Sequence, residues 1–149
     1  KVWNLESGAV ERTLTGHSRS VTAVAISADG QRGVSGSHDK TLKVWNLESG
    51  AVERTLTGHS DWVWAVAISA DGQRGVSGSH DNTLKVWNLA TGEIIASFTA
   101  EAPLYCCAIA PDGVTVVAGD TLGRVHFLRL EGGFFSDQSS VISHQFWGE

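Results

Sequence analysis

The hydrophobic and polar positions of this chain form short segments separated by turn residues. Residues 21–26 are almost wholly apolar, which predicts a strand buried on both faces. Residues 33–37 are small, as in a strand that lets neighbouring sheets approach closely. Residues 41–47 alternate polar with apolar side chains, and residues 52–56 do so with more polar ones. The pattern predicts four short strands, graded from buried to exposed.

This set of four strands repeats along the chain. Residues 1–17 recur unchanged at 43–59, and residues 18–47 return as 60–89 with four substitutions. A weaker third copy begins near residue 100 and has one residue deleted. A period of about 42 residues with four strands per period is typical of a β-propeller blade, whose innermost strand lies at the axis.

Short motifs in each copy carry a family resemblance. They are the Gly-His pairs Gly16-His17 and Gly58-His59, the Asp-Gly turns, and the endings Val44-Trp45-Asn46 and Val86-Trp87-Asn88. In this spacing they resemble the WD40 repeat, with Asn where that family often has Asp. The resemblance covers residues 1 to about 130. It implies an all-β fold, the C-terminal arc of a WD40-type β-propeller with about three and a half blades, incomplete as given.

The repeat boundaries divide the chain into five predicted units. These are the two outer strands of a partial blade at 1–15, complete blades at 16–57 and 58–99, a degenerate terminal blade at 100–131 and a tail at 132–149. The tail adds the outer strand of the last blade or forms a hook onto another part of the protein. We expect an open arc to need a cover on its apolar end faces. A chain without Met that begins at Lys1 also suggests a piece of a longer polypeptide.

A Ser, a His and an Asp recur in each good copy, and such sets are typical of acyl-transfer enzymes. Two copies at one fixed offset favour a scaffold instead, because an enzyme needs one site. The resemblance implies that they join a Trp in the structural tetrads of the family: His17, Ser35, Asp39 and Trp45, then His59, Ser77, Asp81 and Trp87. The last copy has Ala118, Leu122 and Leu128 at the Ser, Asp and Trp positions, so we expect apolar packing to replace its tetrad.

The four substitutions between the two good copies mark a candidate binding rim. They are Arg19, Ser20, Thr22 and Lys40 in one copy and Asp61, Trp62, Trp64 and Asn82 in the next. By the resemblance they open on one rim of the propeller, where partners usually dock. Exposed aromatic side chains there are typical binding anchors. The alternative is that they fill the mouth of the central channel or pack on a neighbouring blade.

Composition narrows the classes of function. The chain has 149 residues, enough for one domain, and 11 basic against 16 acidic residues give a net charge of −5. Without a basic cluster, a nucleic-acid or anionic-membrane surface is disfavoured, and the apolar runs are too short to span a bilayer.

The histidine and cysteine patterns predict neither a metal site nor a cofactor. His38 and His80 each precede an Asp on turns of different blades, and we interpret them as exposed turn residues rather than metal ligands. The neighbours Cys106 and Cys107 cannot staple the fold and fit a reducing compartment. We interpret them as small apolar fillers rather than a redox pair.

The functional prediction rests on the resemblance. The near-identical blades resemble WD40 arrays of bacteria, cyanobacteria in particular, and residues 98–128 resemble the terminal blade of WD40 regions in bacterial STAND-type signalling NTPases. That implies a non-catalytic, cytoplasmic interaction scaffold or sensor, whose partner is another protein or the missing part of the same propeller. This chain itself has no P-loop motif. The alternative is a self-associating propeller that closes as a homo-oligomer, and sugar binding by Trp62 and Trp64 is a further one.

Overall fold

The computed structural model describes residues 1–137, and these form β-strands joined by turns, with no helix. Three four-stranded antiparallel sheets and one two-stranded sheet follow in chain order. The partial sheet is β1 (Val2–Trp3) and β2 (Val10–Arg12). Sheet I is β3 (Val21–Ile26), β4 (Arg32–Ser37), β5 (Leu42–Asn46) and β6 (Val52–Leu56). Sheet II is β7 (Val63–Ile68), β8 (Arg74–Ser79), β9 (Thr83–Asn88) and β10 (Ile94–Thr99). Sheet III is β11 (Leu104–Ile109), β12 (Thr115–Asp120), β13 (Val125–Glu131) and β14 (Phe134–Asp137).

The predicted all-β architecture of four-stranded blades is confirmed. Within each four-stranded sheet, every strand pairs with the next one along the chain, so the sheet is a meander that runs from its inner to its outer strand. Three complete sheets among residues 1–137 are fewer than the four to eight that close a propeller. The described part of the chain is therefore an open arc.

Sheets pack face to face through the inner strand of each one. Val63 of β7 is fully buried against the side chains of Val34, Leu42 and Val44 in sheet I. A Cβ on Gly36 would lie 2.6 Å from Val63 Cγ1, so the sheets reach this separation only because position 36 has no side chain.

The strand at residues 21–26 differs from its prediction. Val24 is 74% exposed, and Val21 and Ile26 are exposed as well, whereas the same residues one repeat later are buried or partly buried against sheet I. The prediction of burial on both faces is therefore wrong for β3. The partial sheet has only the equivalents of β5 and β6, so no inner strand pair covers β3 among residues 1–137.

The last sheet takes its fourth strand from the start of the predicted tail. β14 pairs with β13 in antiparallel register, with Phe135 opposite Leu130 and Ser136 opposite Arg129. The remainder of the predicted tail, residues 138–149, lies outside the described residues, and with it the alternative of a separate hook.

The two copies of one valine test the packing between sheets. We expect Val63→Ala to lower the free energy of unfolding by about 2 kcal/mol, because it removes two buried methyl groups and leaves a cavity. Val21→Ala, at the same position of the preceding repeat, removes exposed atoms and should change stability by less than about 0.5 kcal/mol. Urea unfolding of both variants measures the difference. Equal losses of stability would show that the contact of Val63 with sheet I does not stabilise the fold.

Candidate functional site

Each complete repeat brings its His, Ser, Asp and Trp side chains into one hydrogen-bonded chain. In sheet II, Trp87 Nε1 donates to Ser77 Oγ over 2.8 Å, and Ser77 Oγ lies 2.7 Å from His59 Nε2. His59 Nδ1 lies 2.8 Å from Asp81 Oδ2. All four side chains are satisfied when the serine hydroxyl donates to Nε2 and Nδ1–H donates to the carboxylate.

The same chain of contacts is present in sheet I. Trp45 Nε1 donates to Ser35 Oγ over 2.8 Å, and Ser35 Oγ lies 2.7 Å from His17 Nε2. His17 Nδ1 lies 2.7 Å from Asp39 Oδ2. The structure thus brings together both predicted sets of four, each within its own sheet.

Hydrogen bonds keep the carboxylates ionised and burial keeps one imidazole neutral. Burial opposes ionisation of Asp81, but hydrogen bonds from Thr83 and His59 outweigh it and lower its pKa to about 2. Asp39 has the same balance, with bonds from Thr41 and His17, and its pKa is also about 2. Burial lowers the pKa of His59 below its ordinary value of 6.5, although Asp81 acts in the opposite direction.

The serines in these sets are placed for structure rather than for nucleophilic attack. Ser77 is fully buried and Ser35 nearly so, and each hydroxyl oxygen already accepts an indole N–H. A nucleophile must reach a substrate carbonyl, which burial beneath a tryptophan prevents. Each set instead connects the loop before the innermost strand to the turn after the second strand, because His59 and Asp81 lie on those two segments.

In sheet III the tetrad positions are occupied as the sequence indicated, with one difference. Ala118 and Leu128 are buried in an apolar cluster with Val76 and Leu84, so apolar packing does replace the Ser–Trp pair there. Leu122, at the Asp position, is exposed on the turn, and the expectation of apolar packing is wrong at that residue.

A different polar cluster stabilises the turn between β12 and β13 of sheet III. Asp120 Oδ2 accepts from Arg124 Nε over 2.8 Å and lies 3.0 Å from His126 Nε2. Its Oδ1 accepts from the backbone N–H groups of Leu122 and Arg124. Burial of Asp120 is outweighed by these hydrogen bonds, from His126 and Arg124 above all, and its pKa is lowered. Sequence comparison missed the cluster because Asp120 stands at the position of Ser79, which is not a tetrad position.

The residues that vary between repeats lie at one end of the sheets, here called the rim. In an antiparallel meander, the loop before the first strand and the turn between the second and third strands are at the same end. Each innermost strand also has a register shift near this end, at Thr22, Trp64 and Tyr105 respectively. Bulges of this kind redirect a side chain, so three different residues occupy one equivalent rim position in the three sheets.

At the rim, five rings from all three sheets form one cluster, here called the aromatic seam: His38, Trp62, Trp64, His80 and Tyr105. Trp62 stacks on His38, with ring centroids 4.3 Å apart, and its centroid lies 5.8 Å from that of His80. Trp64 meets Trp62 edge to face at 5.8 Å and meets Tyr105 edge to face at 5.1 Å. Trp62 is still 38% exposed and Tyr105 is 50% exposed.

The aromatic seam shows that the prediction for the turn histidines is wrong, and it adds Tyr105 to the predicted rim residues. His38 and His80 are half-buried ring partners of Trp62, so the expectation of exposed turn histidines is wrong. Comparison of the repeats did not single out these histidines as rim residues, because they are identical in both copies. Tyr105 was detectable, since the one-residue deletion in the third copy aligns it with Trp64.

The other predicted rim residues have diverse surroundings. Thr22 donates through Oγ1 to Gly36 O over 3.1 Å and also contacts Val63 O, so it joins sheets I and II. Lys40 and Asn82 lie in turns with φ of 71° and 69°, a left-handed conformation that Asn adopts more readily than Lys. Arg19 and Ser20 are exposed, and Asp61 Oδ1 accepts from the backbone N–H of Trp62 over 2.8 Å.

The adjacent cysteines point to opposite faces of β11, as successive strand residues do. Cys107 faces sheet II, where Sγ lies 3.8 Å from Val76 O, and burial followed by the nearby Cys106 raises its pKa to about 12. Cys106 is exposed, so the interpretation of both as buried fillers is wrong for this residue. The outer face of sheet III has no covering sheet within residues 1–137.

Residues 1–137 were predicted to hold no metal site and no membrane-spanning segment. They contain no group of three or more His, Cys, Asp and Glu side chains that could hold a metal ion. Nor do these residues include a helix with the length and apolar character that a bilayer crossing requires.

Comparison with known proteins agrees with the fold. The family described as "WD domain, G-beta repeat" matches residues 8–46 and 50–88. This chain belongs to the WD40 repeat family. Vegetative incompatibility protein HET-E-1 of Podospora anserina is 58% identical over 41 residues, which are 28% of this chain and 3% of that protein. The chain thus spans a small fraction of that relative's length. WD40 repeats form protein-interaction scaffolds and are generally non-catalytic.

The serine of a WD40 tetrad can be tested by truncation. We expect Ser77→Ala to lower the free energy of unfolding by about 1–3 kcal/mol, because it leaves the buried indole N–H of Trp87 and Nε2 of His59 unpaired. Ser97→Ala is the control, since Ser97 is exposed and its hydroxyl only accepts from Lys85 Nζ. Urea unfolding compares the two, and a loss from Ser77→Ala no larger than that of the control would contradict a stabilising role.

Acidification should destabilise these WD40 repeats in two steps. The stability linked to His59 is fully present above pH 6.5 and declines below it, because the unfolded imidazole binds its proton first. The stability linked to Asp39 and Asp81 is present above pH 3.8 and is lost as the pH falls towards 2. Urea unfolding at intervals from pH 8 to pH 2.5 measures both steps, and stability that rose on acidification would refute the assignment.

Proposed function

We propose that the aromatic seam is the docking surface for a protein partner of this WD40 region. The observation that carries the proposal is the replacement of Ser20 and Thr22 by Trp62 and Trp64 in an otherwise near-identical repeat, at the end where all three sheets present their loops. Partly exposed tryptophan and tyrosine rings supply large contact areas at low entropic cost, as is usual at binding hot spots.

Hydrogen-bonding groups in the seam support the same proposal. Among the described residues, His38 Nε2, Trp64 Nε1 and His80 Nδ1 are buried without a hydrogen-bond partner. An unpaired buried polar atom costs roughly 1–3 kcal/mol. A partner that supplies polar groups while it displaces part of the seam would recover that energy, in addition to the apolar contact.

The context of this surface is also part of the proposal. We infer that the chain is a non-catalytic sensor or scaffold region of a larger cytoplasmic signalling protein, of the bacterial STAND-type NTPase kind that the last blade resembles. The acidic balance of 16 acidic against 11 basic residues supports a protein partner over nucleic acid. The match to a vegetative incompatibility protein supports a place in a much longer protein, because the 41 matched residues are only 3% of that protein.

Exchanging the rim residues between repeats tests the docking surface. Trp62→Ser and Trp64→Thr install the residues that the neighbouring repeat has at the same positions, so the backbone is already known to accommodate them. A photo-crosslinking amino acid at Lys40, beside the seam, identifies the partner in cells, and titration calorimetry then measures the purified complex. We expect each exchange to weaken binding at least tenfold, as loss of a hot-spot aromatic residue does.

The opposite end of the sheets provides the control. Gln73 lies at the far end of sheet II, in the turn between its first two strands. A crosslinker at Gln73 should not capture the partner, and Gln73→Ala should leave its affinity unchanged. Capture at Gln73 but not at Lys40, or unchanged affinity after both tryptophan exchanges, would rule out the seam as the docking surface.

A further inference from the structure

Three large rings of the aromatic seam, Trp62, Trp64 and Tyr105, form a row across sheets II and III. The centroid of Trp64 lies 5.8 Å from that of Trp62 and 5.1 Å from that of Tyr105. Trp64 is half-buried between the two outer rings, which are 38% and 50% exposed. A ligand that lies along this row therefore meets two open ring surfaces with a half-buried indole between them.

The central indole has a polar atom that no residue within 1–137 satisfies. Trp64 Nε1 can only donate a hydrogen bond, and it is buried without an acceptor in this part of the chain. The side chain of Trp62 makes ring contacts but no hydrogen bond among the described residues, so it can rotate outwards and give a ligand access to Trp64 Nε1. The ligand must therefore supply hydrogen-bond acceptors as well as apolar surface.

The position of the row at the rim determines which backbone conformation can supply those acceptors. An α-helix uses its own carbonyl groups internally, so its sides offer only side-chain acceptors. A β-strand binds by pairing with the free edge of a sheet, whereas the rim presents loops and strand ends. A polyproline II segment has no internal hydrogen bonds, so its carbonyl groups are all available, and it is ordered before it binds.

The repeat distance of polyproline II also matches the row. With three residues per turn and a rise of about 3.1 Å per residue, residues i and i+3 lie on the same face about 9.3 Å apart. The separations of 5.8 Å and 5.1 Å on either side of Trp64 allow the centroids of Trp62 and Tyr105 to be this far apart. Two prolines spaced by three residues can therefore stack on the outer rings, with a carbonyl between them beside Trp64 Nε1.

Charge favours neutral carbonyls over carboxylates as the acceptors. The chain has a net charge of −5, and Asp61 holds a carboxylate beside Trp62, whose backbone N–H it accepts over 2.8 Å. An acidic ligand would be repelled there. Arg19 and Lys40 of sheet I are exposed on the same rim and would attract acidic groups, so an acidic peptide is the competitor to test.

We propose that the partner segment bound by the aromatic seam is a proline-rich segment in the polyproline II conformation, with prolines at positions i and i+3. The proposal rests on the seam being the docking surface, and it adds the chemical class of the ligand. One proline stacks on Trp62, the other stacks on Tyr105, and a carbonyl between them accepts from Trp64 Nε1. Because both the rings and the segment are rigid, little conformational entropy is lost on binding.

Two synthetic peptides of equal length test the spacing. The first is Pro-Ala-Ala-Pro-Ala-Ala-Pro-Ala-Ala-Pro, and the second alternates Pro with Ala, so it has more prolines but no two that are three residues apart. We expect the first peptide to bind the 149-residue chain at least about fivefold more tightly, because only its prolines share one face at the required distance. Titration followed by nuclear magnetic resonance measures both affinities, and the indole N–H signal of Trp64 should move downfield as it gains an acceptor.

Variants of the chain separate the ring contacts from the hydrogen bond. Trp64→Phe keeps a ring but removes the donor, and it should weaken binding of the first peptide about tenfold. Tyr105→Ala removes one outer ring and should cost at least as much. Phe134→Ala is the control, because Phe134 is an aromatic residue that is 65% exposed at the opposite end of sheet III, and it should leave the affinity unchanged. Unchanged signals from the remaining indole groups show that each variant is folded.

Several results would overturn the proposal: equal binding of the two peptides, no binding of either, or an affinity that neither Trp64→Phe nor Tyr105→Ala changes. Tighter binding of a first peptide that carries Glu in place of each Ala would do so as well, because the acceptor would then be a carboxylate. If the peptides fail while Trp62→Ser and Trp64→Thr still weaken binding of the crosslinked partner, the docking surface stands and only the class of its ligand is wrong.

Discussion

The arrangement of the sheets depends on one recurring contact, in which an apolar side chain of one inner strand occupies space left by a glycine of the preceding sheet. Val63 lies against Gly36 in this way, and Leu104 lies against Gly78, where an added Cβ would be 3.2 Å from Leu104 Cβ. Since a Cβ at either position would crowd the next sheet, the separation of successive sheets is set by the contact of one apolar side chain with a glycine. The rim loops of adjacent sheets are therefore held at a fixed spacing, and Trp62 can bridge the histidines of two sheets.

The two recurrent sets of residues have different physical roles. The buried His–Ser–Asp–Trp chains satisfy every polar atom they contain and give each sheet a rigid connection between its loop and its turn. The aromatic seam lies on that rigid base but leaves ring surface exposed and nitrogen atoms unpaired. In the WD40 chain, a repeated pattern of internal contacts thus supports a surface that differs between repeats, as Ser20 and Trp62 illustrate.

Most of the fold could be predicted because each strand is identifiable within one period. The strand order follows from the meander, and the tetrad contacts of His59, Ser77 and Asp81 are those that the family resemblance implied. The exposure of β3 could not be predicted from its residues, since Val21, Val24 and Ile26 recur in β7, where they are buried or partly buried against a neighbouring sheet. The ring contacts of His38 and His80 were not predicted, because they depend on Trp62, which lies in the loop before β7 and far from both histidines in sequence.

The near identity of the repeats has a consequence for how the chain finds its order of pairing. β4 and β8 have the same sequence, and β9 contains the whole sequence of β5. The side chains alone therefore do not determine whether β4 pairs with β5 or with β9. The length of the connecting segment determines the pairing, because the turn from β4 to β5 is far shorter than the segment from β4 to β9. Closing the longer loop costs roughly 2 kcal/mol more entropy, and local hairpins also form sooner. Correct pairing among identical strands is therefore selected by chain connectivity, and crowded chains of this kind can exchange strands with one another during folding.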